Sequence, residues 1–474
     1  MIESDYIARI AVLEAENAEL RLQVFRIPLL ESENKALREQ VLLLSQKLSD
    51  LANKVEQMSV RKDSNNSSLP PSGDFGRKTR SLRTASGLKP GGQPGHKGTT
   101  LEMTDSPDHI EPLVPFFCGI CAKALDISRA ELVERRQVVD IPPIKAETTE
   151  YRSFGIACGC GHHQVAPFPE GVDNHIQYGP NIAALTVYHN VYQYIPFKRL
   201  QDFFTHICHL PLSVGTLENI VARMGDKARP VWDSFRKTLE QSKAVGGDET
   251  GAKVNGKKQW IWVWQSTFVT FIAISASRGS TLINALFPNG FPLATLCSDR
   301  WKAQTKTFAK GHQLCIAHLL RELLYLIQAE KTSWANEFKE LLLKTIKLKQ
   351  IQSAYDKGHP QTLEVENQLD ALLAQTIPEQ NARKTASLQK SMAKYRLFIF
   401  PFLYDPLIPY DNNASERSIR NVKVKLKVSG QFKTGQEHYC ILRSIIDTTI
   451  KNGQSVFHAV AAIAHMPAPP KAAV

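Results

Sequence analysis

Asp248, Asp299 and Glu416 stand far apart in the chain, yet each sits in a setting suited to metal-dependent phosphodiester chemistry. That chemistry needs carboxylates from separate elements converging on two divalent ions roughly 4 Å apart, which clamp the attacking and leaving oxygens. Asp248 lies in GGDETG, at the end of an expected strand, where the flanking glycines let the backbone turn away from the carboxylate. Asp299 lies in CSDRW, at the end of another expected strand. Glu416 belongs to DNNASERSIRNVKVK, an expected helix on which Asn412, Glu416, Arg420 and Lys423 recur at spacings of four, four and three. Those spacings make one polar stripe. Arg420, Lys423 and Lys425 are the candidates there to hold DNA phosphates and offset the charge of three acids. Acids at strand ends are common, so spacing alone leaves the triad open.

Further groups must be weighed for chemistry. His318, in Cys315-x2-His318, would orient the scissile phosphate or hold a water; the bland alternative is a packing pair at a helix start. Trp301 either stacks on an unpaired base or fills the core. Glu249 adjoins Asp248 but points to the opposite strand face, so it is not assigned to the metals. Trp260, Trp262 and Trp264 alternate onto one strand face and read as core. The pairs Cys118-x2-Cys121 and Cys158-x-Cys160 offer four thiolates, a set that suits tetrahedral structural zinc in place of a core. His162 and His163 stand by if the second pair uses imidazole, and ordinary buried thiols are the alternative.

The elements that must position these groups follow from periodicity. KAVGGDE, QWIWVWQ and FVTFIAISA read as three strands, the latter two joined by a tight turn at Ser266 and Thr267. LINALF is a short helix, PLATLCSD a fourth strand and QLCIAH a fifth. That order is the one expected of an α/β, ribonuclease-H-like catalytic core, in which the first and fourth strands are neighbours and open Asp248 and Asp299 at one edge. Residues 241–330 are the first part of that core, 331–405 a large helical insertion, and 406–474 the helix of the third carboxylate with a helical tail.

Upstream, residues 1–58 read as a coiled coil that pairs copies of the chain. Apolar positions alternate by four and three from Tyr6 to Ile27 and again from Leu30 to Met58, with Asn17 and Asn34 at core positions. Pro28 is expected to kink or break the rod, and an amphipathic helix docked on its own domain is the alternative. Residues 59–105 form a basic linker rich in Ser, Asn, Pro and Gly. Between Phe75 and Leu101 it holds no acid but carries Arg77, Lys78, Arg80, Arg83, Lys89 and Lys97. The segment is either a phosphate-tracking arm or a solvated spacer. Residues 106–175 contain the cysteine pairs, in mostly β-type sequence. Residues 176–240 are helical, with PFKRLQDFFTHI and VGTLENIVARMGDKA reading as helix–turn–helix or as plain helix packing, and Ser213 as N-cap.

Lysine and arginine outnumber acids 58 to 46, a surplus that favours a polyanionic partner without proving one. MIESDYIARI lacks the basic flank of a signal peptide, and LFIFPFLY at 397–404 is too short to span a bilayer, so a cytoplasmic chain with no membrane partner is expected. Eight cysteines, four of them clustered, then mean metal or reduced thiols rather than disulfides.

The sequence resembles the transposases of the insertion sequence 66 family over nearly its whole length. The matching stretches are NNSSLPPSGD, GGQPGHKG, the cysteine module ending FPEGV, QYGPNIAAL, GDETG, SDRWKAQ, CIAHLLREL and YDNNASERSIRNVKVKLKVSGQFKTG. The resemblance implies a DDE-type core with its carboxylates at Asp248, Asp299 and Glu416, and magnesium as the metal, with manganese able to substitute. It also implies an N-terminal leucine zipper, a zinc-finger-like module and a helical insertion before the glutamate. Departures are Pro28 inside the zipper and a CxC where the family has a second CxxC, which leaves the fourth zinc ligand open. The implied activity is cleavage at transposon ends and joining of the freed 3′-hydroxyls to target DNA, with terminal repeats, target DNA and helper proteins of the same element as partners. Two rivals remain: a nuclease of the same core without strand transfer, and a dimeric DNA-binding regulator. Joining of pre-cut ends separates the first, and metal-dependent cleavage the second.

Overall fold

Helix α1 runs from Ile2 to Ser59 and passes through Pro28 without interruption. The expected break is absent because one proline removes a single main-chain donor, which 58 residues of continuous helix absorb. The seam residues from Ile10 to Val55 lie exposed in the single chain; Leu20 is 57% and Leu48 71% accessible. The chain is a computed structural model that describes residues 2–59, 62–63, 66, 95, 97–98, 100–377 and 382–467. Arg77, Lys78, Arg80, Arg83 and Lys89 therefore lie outside the described residues, and Lys97 is exposed.

Two units are distinguished. One comprises residues 1–75, 170–196 and 217–474; the other comprises 76–169 and 197–216. In the smaller unit the strand content falls short of expectation. Among the described residues it holds one hairpin, β1 (Gly155–Ala157) with β2 (His163–Val165), and a separate bridge between Phe117 and Ala124. Three-residue strands bury too little to hold a sheet by themselves. In the larger unit, helix α2 (Pro180–Val187) precedes a π-helical turn at Tyr188–Tyr192.

Helix α3 (Phe197–His206) is followed by a break and by α4 (Val214–Glu240). Ser213 caps the latter as expected, its hydroxyl accepting the Thr216 amide at 3.0 Å. Farther along, α4 buries Ile220, Met224, Ala228 and Trp232 at helical spacing, and Trp232 stacks on Phe271 at 4.3 Å. That length of buried face is core packing.

The central sheet comprises β3 (Ala244–Val254), β4 (Lys257–Gln265), β5 (Thr270–Ser275), β6 (Phe291–Ser298) and β7 (Ala309–Leu314). Helix α5 (Thr281–Leu286) precedes β6 and the short α6 (Lys302–Thr305) precedes β7. Strand order is β5-β4-β3-β6-β7, the first three antiparallel and the last two parallel to β3. The turn between β4 and β5 is the expected one: Ser266 Oγ accepts the Phe268 amide at 3.3 Å.

Two boundaries differ from expectation. Strand β3 continues six residues past Asp248, because its pairing with β4 runs on to Val254 and Ala252 and Val254 bury the same face. The fifth strand starts earlier and stops at Leu314, with Cys315 already the cap of the next helix.

Aromatic rings fill one side of the sheet. Trp262 and Trp264 are fully buried and stacked at 5.6 Å, and Phe287 closes on Trp264 edge-on at 5.2 Å. Trp260 stands apart from this core, partly exposed beneath the Arg278 guanidinium at 4.7 Å.

Helices α7 (Ile316–Ala329), α8 (Ser333–Ile351), α9 (Pro360–Ala374), α10 (Arg383–Lys394) and α11 (Pro401–Tyr404) form the helical insertion around a second apolar cluster that includes Leu323, Trp334, Phe338 and Met392. Buried Gln313 at the end of β7 ties it back, donating to Ile399 O at 3.0 Å and accepting from Phe402 N at 2.9 Å. The chain then forms α12 (Asn413–Ser429), α13 (Gln436–Lys451) and α14 (Val456–His465). Helix α13 seals the free edge of β5: Thr448 Oγ1 accepts the Thr270 amide at 2.9 Å and Ser444 Oγ the Ile272 amide at 2.8 Å. Trp232 Nε1 donates to Ile272 O at 3.0 Å, so that edge offers few free groups for pairing.

Candidate active site

Strands β3 and β6 pair in parallel as far as Gly246 and Cys297. Asp248 and Asp299 each lie two residues farther on, so both acids stand at the same level, Asp248 still within β3 and Asp299 just past the end of β6. Glu416 is brought to them by a loop stitched to three strands or their flanks. Tyr410 O accepts the Ile316 amide at 2.8 Å, and the Asn412 amide donates to Cys315 Sγ at 3.2 Å. Cys297 Sγ donates to Asp411 O at 3.5 Å, and Asn412 Nδ2 donates to Gly247 O at 2.7 Å. Glu416 then falls in the first turn of α12, where the helix dipole favours an acid.

The glycines before Asp248 serve close approach rather than the expected turn. A Cβ on Gly246 would stand 2.5 Å from Asn412 Oδ1, and one on Gly247 would stand 2.8 Å from Gln304 Oε1. Both faces of β3 are thus filled right up to the aspartate.

The three acids share one field. Burial, then the charges of Glu249, Asp299 and Glu416, hold the Asp248 carboxyl well above the usual carboxylate range. Among the described residues, however, no three His, Cys, Asp or Glu groups stand close enough to hold a metal ion as they are. Glu416 is instead engaged from α7: the Arg321 guanidinium approaches it at 3.4 and 3.5 Å, and His318 Nε2 lies 3.7 Å away. Burial pushes the His318 imidazole below its ordinary range, against the pull of Glu416. Its Nδ1 has no partner among the described residues. Cys315 is a packing residue: 2% exposed, it receives the Asn412 amide, and burial pushes its thiol up to about 12.

Glu249 points away from this group, as expected. It is buried and paired with Arg278 at 2.7 Å, and burial raises its carboxyl. Arg278 lies 3.8 Å over the Trp301 ring, and Trp301 N donates to Asp299 Oδ1 at 2.9 Å. Trp301 is therefore half-buried support for Asp299 rather than deep core.

Of the cations expected on α12, only Arg420 is exposed. Lys423 is half-buried and donates to Gly251 O at 2.8 Å. Lys425 is 6% exposed, its ammonium 3.4 Å from Asn190 O, and burial lowers it to about 8. Its expected phosphate contact is corrected to a core contact. The cysteines form two separate pairs, in which Cys121 bonding lowers the Cys118 thiol and His162 and Cys158 bonding lowers the Cys160 thiol. No three of these groups come together. Sequence reading missed Arg321, although His318 and Arg321 at helical spacing were a visible signal.

A stability prediction arises from the raised Asp248 carboxyl. A folded-state value above the unfolded one favours the fold fully only below the unfolded value near pH 4, and the advantage is lost as pH rises through the folded value. Asp248→Asn should therefore make the chelated protein more resistant to denaturant than wild type at pH 7.5, with the two curves converging toward pH 4.5. Parallel curves at both pH values would refute the buried charge.

Residues 175–438, more than half of the chain, match the family described as Transposase IS66 family. The chain belongs to that family. Membership supports a transposase role and an enzyme that acts on DNA. The matched segment in this IS66-family member begins before α2 and ends in α13, so it contains the whole sheet, the insertion and all three acids. A second match, to a family of unknown function, DUF6444, covers residues 7–102 and thus most of α1 and the basic segment. Among curated proteins no match is found. No helix among the described residues is long and apolar enough to cross a membrane.

Proposed function

We propose that this IS66-family member is a DDE transposase with a ribonuclease-H-like core, in which Asp248, Asp299 and Glu416 hold two magnesium ions. The observation that carries this reading is geometric: the β3–β6 pairing sets Asp248 and Asp299 at one level, and Asn412, bonded to Gly247 O at 2.7 Å, brings the start of α12 with Glu416 beside them. The strand order supports it further. All three donors are hard carboxylate oxygens, the set that suits magnesium. Bound magnesium supplies Lewis-acid stabilisation of the charge that develops on a phosphodiester.

The protein's own groups do the positioning. Asp248 fixes one side of the site from within β3 and Asp299 from just past the end of β6. Glu416 closes it from α12, for which its carboxylate leaves Arg321. The freed guanidinium is then available to a DNA phosphate. His318, neutral through burial, orients a phosphate oxygen or a water. The reaction is hydrolysis at each transposon end, which frees a 3′-hydroxyl, followed by in-line attack of that hydroxyl on a target phosphodiester, whose own P–O3′ bond breaks so that the target 3′-oxygen leaves and takes up a proton. No covalent protein–DNA bond is required.

We further propose that the exposed seam of α1 pairs copies of the chain, since a stripe of this length is buried only against another helix. The two cysteine pairs would close on one structural zinc. The deciding experiment supplies pre-cut ends, magnesium and a target plasmid. Joined product is expected; cleavage of intact ends without any joining would make the protein a nuclease of the same core.

A further inference from the structure

A row of unspent positive charge leads away from Glu416 along α12. Arg420 and Lys427 follow Glu416 by four and eleven residues, which keeps them on its side of the helix. Both are exposed, and neither has an ion pair among the described residues. Eleven residues of helix carry the row about 16 Å from the acid.

The row does not end with the helix. After Gly430 the chain is fastened to the tip of the β3–β4 hairpin. Phe432 N donates to Lys253 O at 3.0 Å, Asn255 N to Phe432 O at 2.8 Å, and Gly256 N to Gln431 Oε1 at 2.8 Å. Asn255 and Gly256 have φ of 50° and 75°, as a tight two-residue hairpin requires. The joint is therefore stiff. It presents Lys433 and Lys257, both exposed and likewise unpaired among the described residues. Lys257 pairs with Val254 across the hairpin and so shares the face of β3 from which Asp248 also projects.

No acid occurs from 250 to 298 or from 417 to 436, so nothing on these segments competes for the four cations. Lys423, on the same helix, is spent on Gly251 O and is not part of the row.

We propose that Arg420, Lys427, Lys433 and Lys257 form a track for the DNA sugar–phosphate backbone next to the reacting phosphodiester. The inference rests on the transposase reading and adds to it which surface holds the flanking DNA. At about 3.4 Å per nucleotide along one strand, 16 Å spans about five nucleotides. Charges of one sign with no base-reading element between them recognise phosphate and not sequence.

The test uses the full chain, a random-sequence duplex and a duplex carrying the transposon end, each titrated across a salt series. Simultaneous Lys257→Ala, Lys427→Ala and Lys433→Ala should flatten the salt dependence of log affinity by about 0.9 per lysine on both duplexes. The three lysine-to-arginine changes should restore the slope, which controls for folding. Hydroxyl-radical protection should be lost in the alanine variant about five nucleotides from the joined phosphodiester. An unchanged slope with wild-type binding intact would overturn the track alone. Loss confined to the transposon-end duplex would also overturn it, since that means base reading. Wild-type protein that binds neither duplex would instead sink the transposase reading.

Discussion

Asp248→Ala, Asp299→Ala and Glu416→Ala should each abolish joining of transposon ends while leaving binding of those ends intact. Each change removes a carboxylate from a site whose metal stabilisation is worth several kcal/mol, and every 1.36 kcal/mol is tenfold in rate. A fall of about a thousandfold or more is the expected scale. Misfolding does not account for it. Asp248 sits in a field of like charge, so its loss relieves repulsion. Glu416 is balanced by Arg321 of α7, whose side chain is already 28% exposed, so removal of the acid leaves that guanidinium within reach of water. The joining assay with pre-cut ends, run beside a gel-shift on the same ends, reads both halves of the expectation. Near-wild-type joining by any one variant would remove that residue from the assignment.

The second large effect concerns stability. Asp447→Ala should cost about 3–5 kcal/mol, because it strands the buried Arg443 guanidinium without its counter-charge. Arg443 is 2% exposed and meets Asp447 at 2.6 Å within α13. It also donates to Val191 O at 3.3 Å and lies 5.3 Å over the Tyr194 ring, contacts that cannot neutralise it. The double change Arg443→Met with Asp447→Leu should recover most of the loss, since apolar replacements of similar size leave no charge behind. The exposed pair of Arg229 with Glu437, at 2.8 Å, supplies the contrast: Glu437→Ala should cost no more than about 1 kcal/mol. Denaturant unfolding of the chelated proteins measures all of these. Equal costs for Asp447→Ala and the double change would mean that packing, not charge, dominates at this position.

The sheet was legible because its strands announce themselves. KAVGGDE, QWIWVWQ and PLATLCSD carry apolar periodicity close to two or short apolar runs bounded by turn residues. What stayed hidden depended on partners distant in sequence. The glycines of GGDETG read as a turn, whereas Gly246 admits Asn412 from 166 residues away and Gly247 admits Gln304 from 57 residues away. Arg321 could be seen beside His318, but its partner lies 95 residues downstream. Lys425 was a different kind of miss. It follows Glu416 by nine residues, two and a half helical turns, which puts it on the far side of α12 and toward the core. Counting charge without tracking rotation placed it on the wrong face.

The hydroxyls that cap β5 come from residues 172 and 178 positions later in the chain. At about 5–20 residues per second, a ribosome takes roughly 9–36 seconds to make that stretch. Throughout this interval the outermost strand of the newborn sheet keeps its amides bare, a standing invitation to a neighbour on the same message. The enzyme is thus vulnerable to tangling during its own manufacture, and protection arrives only once α13 has left the exit tunnel.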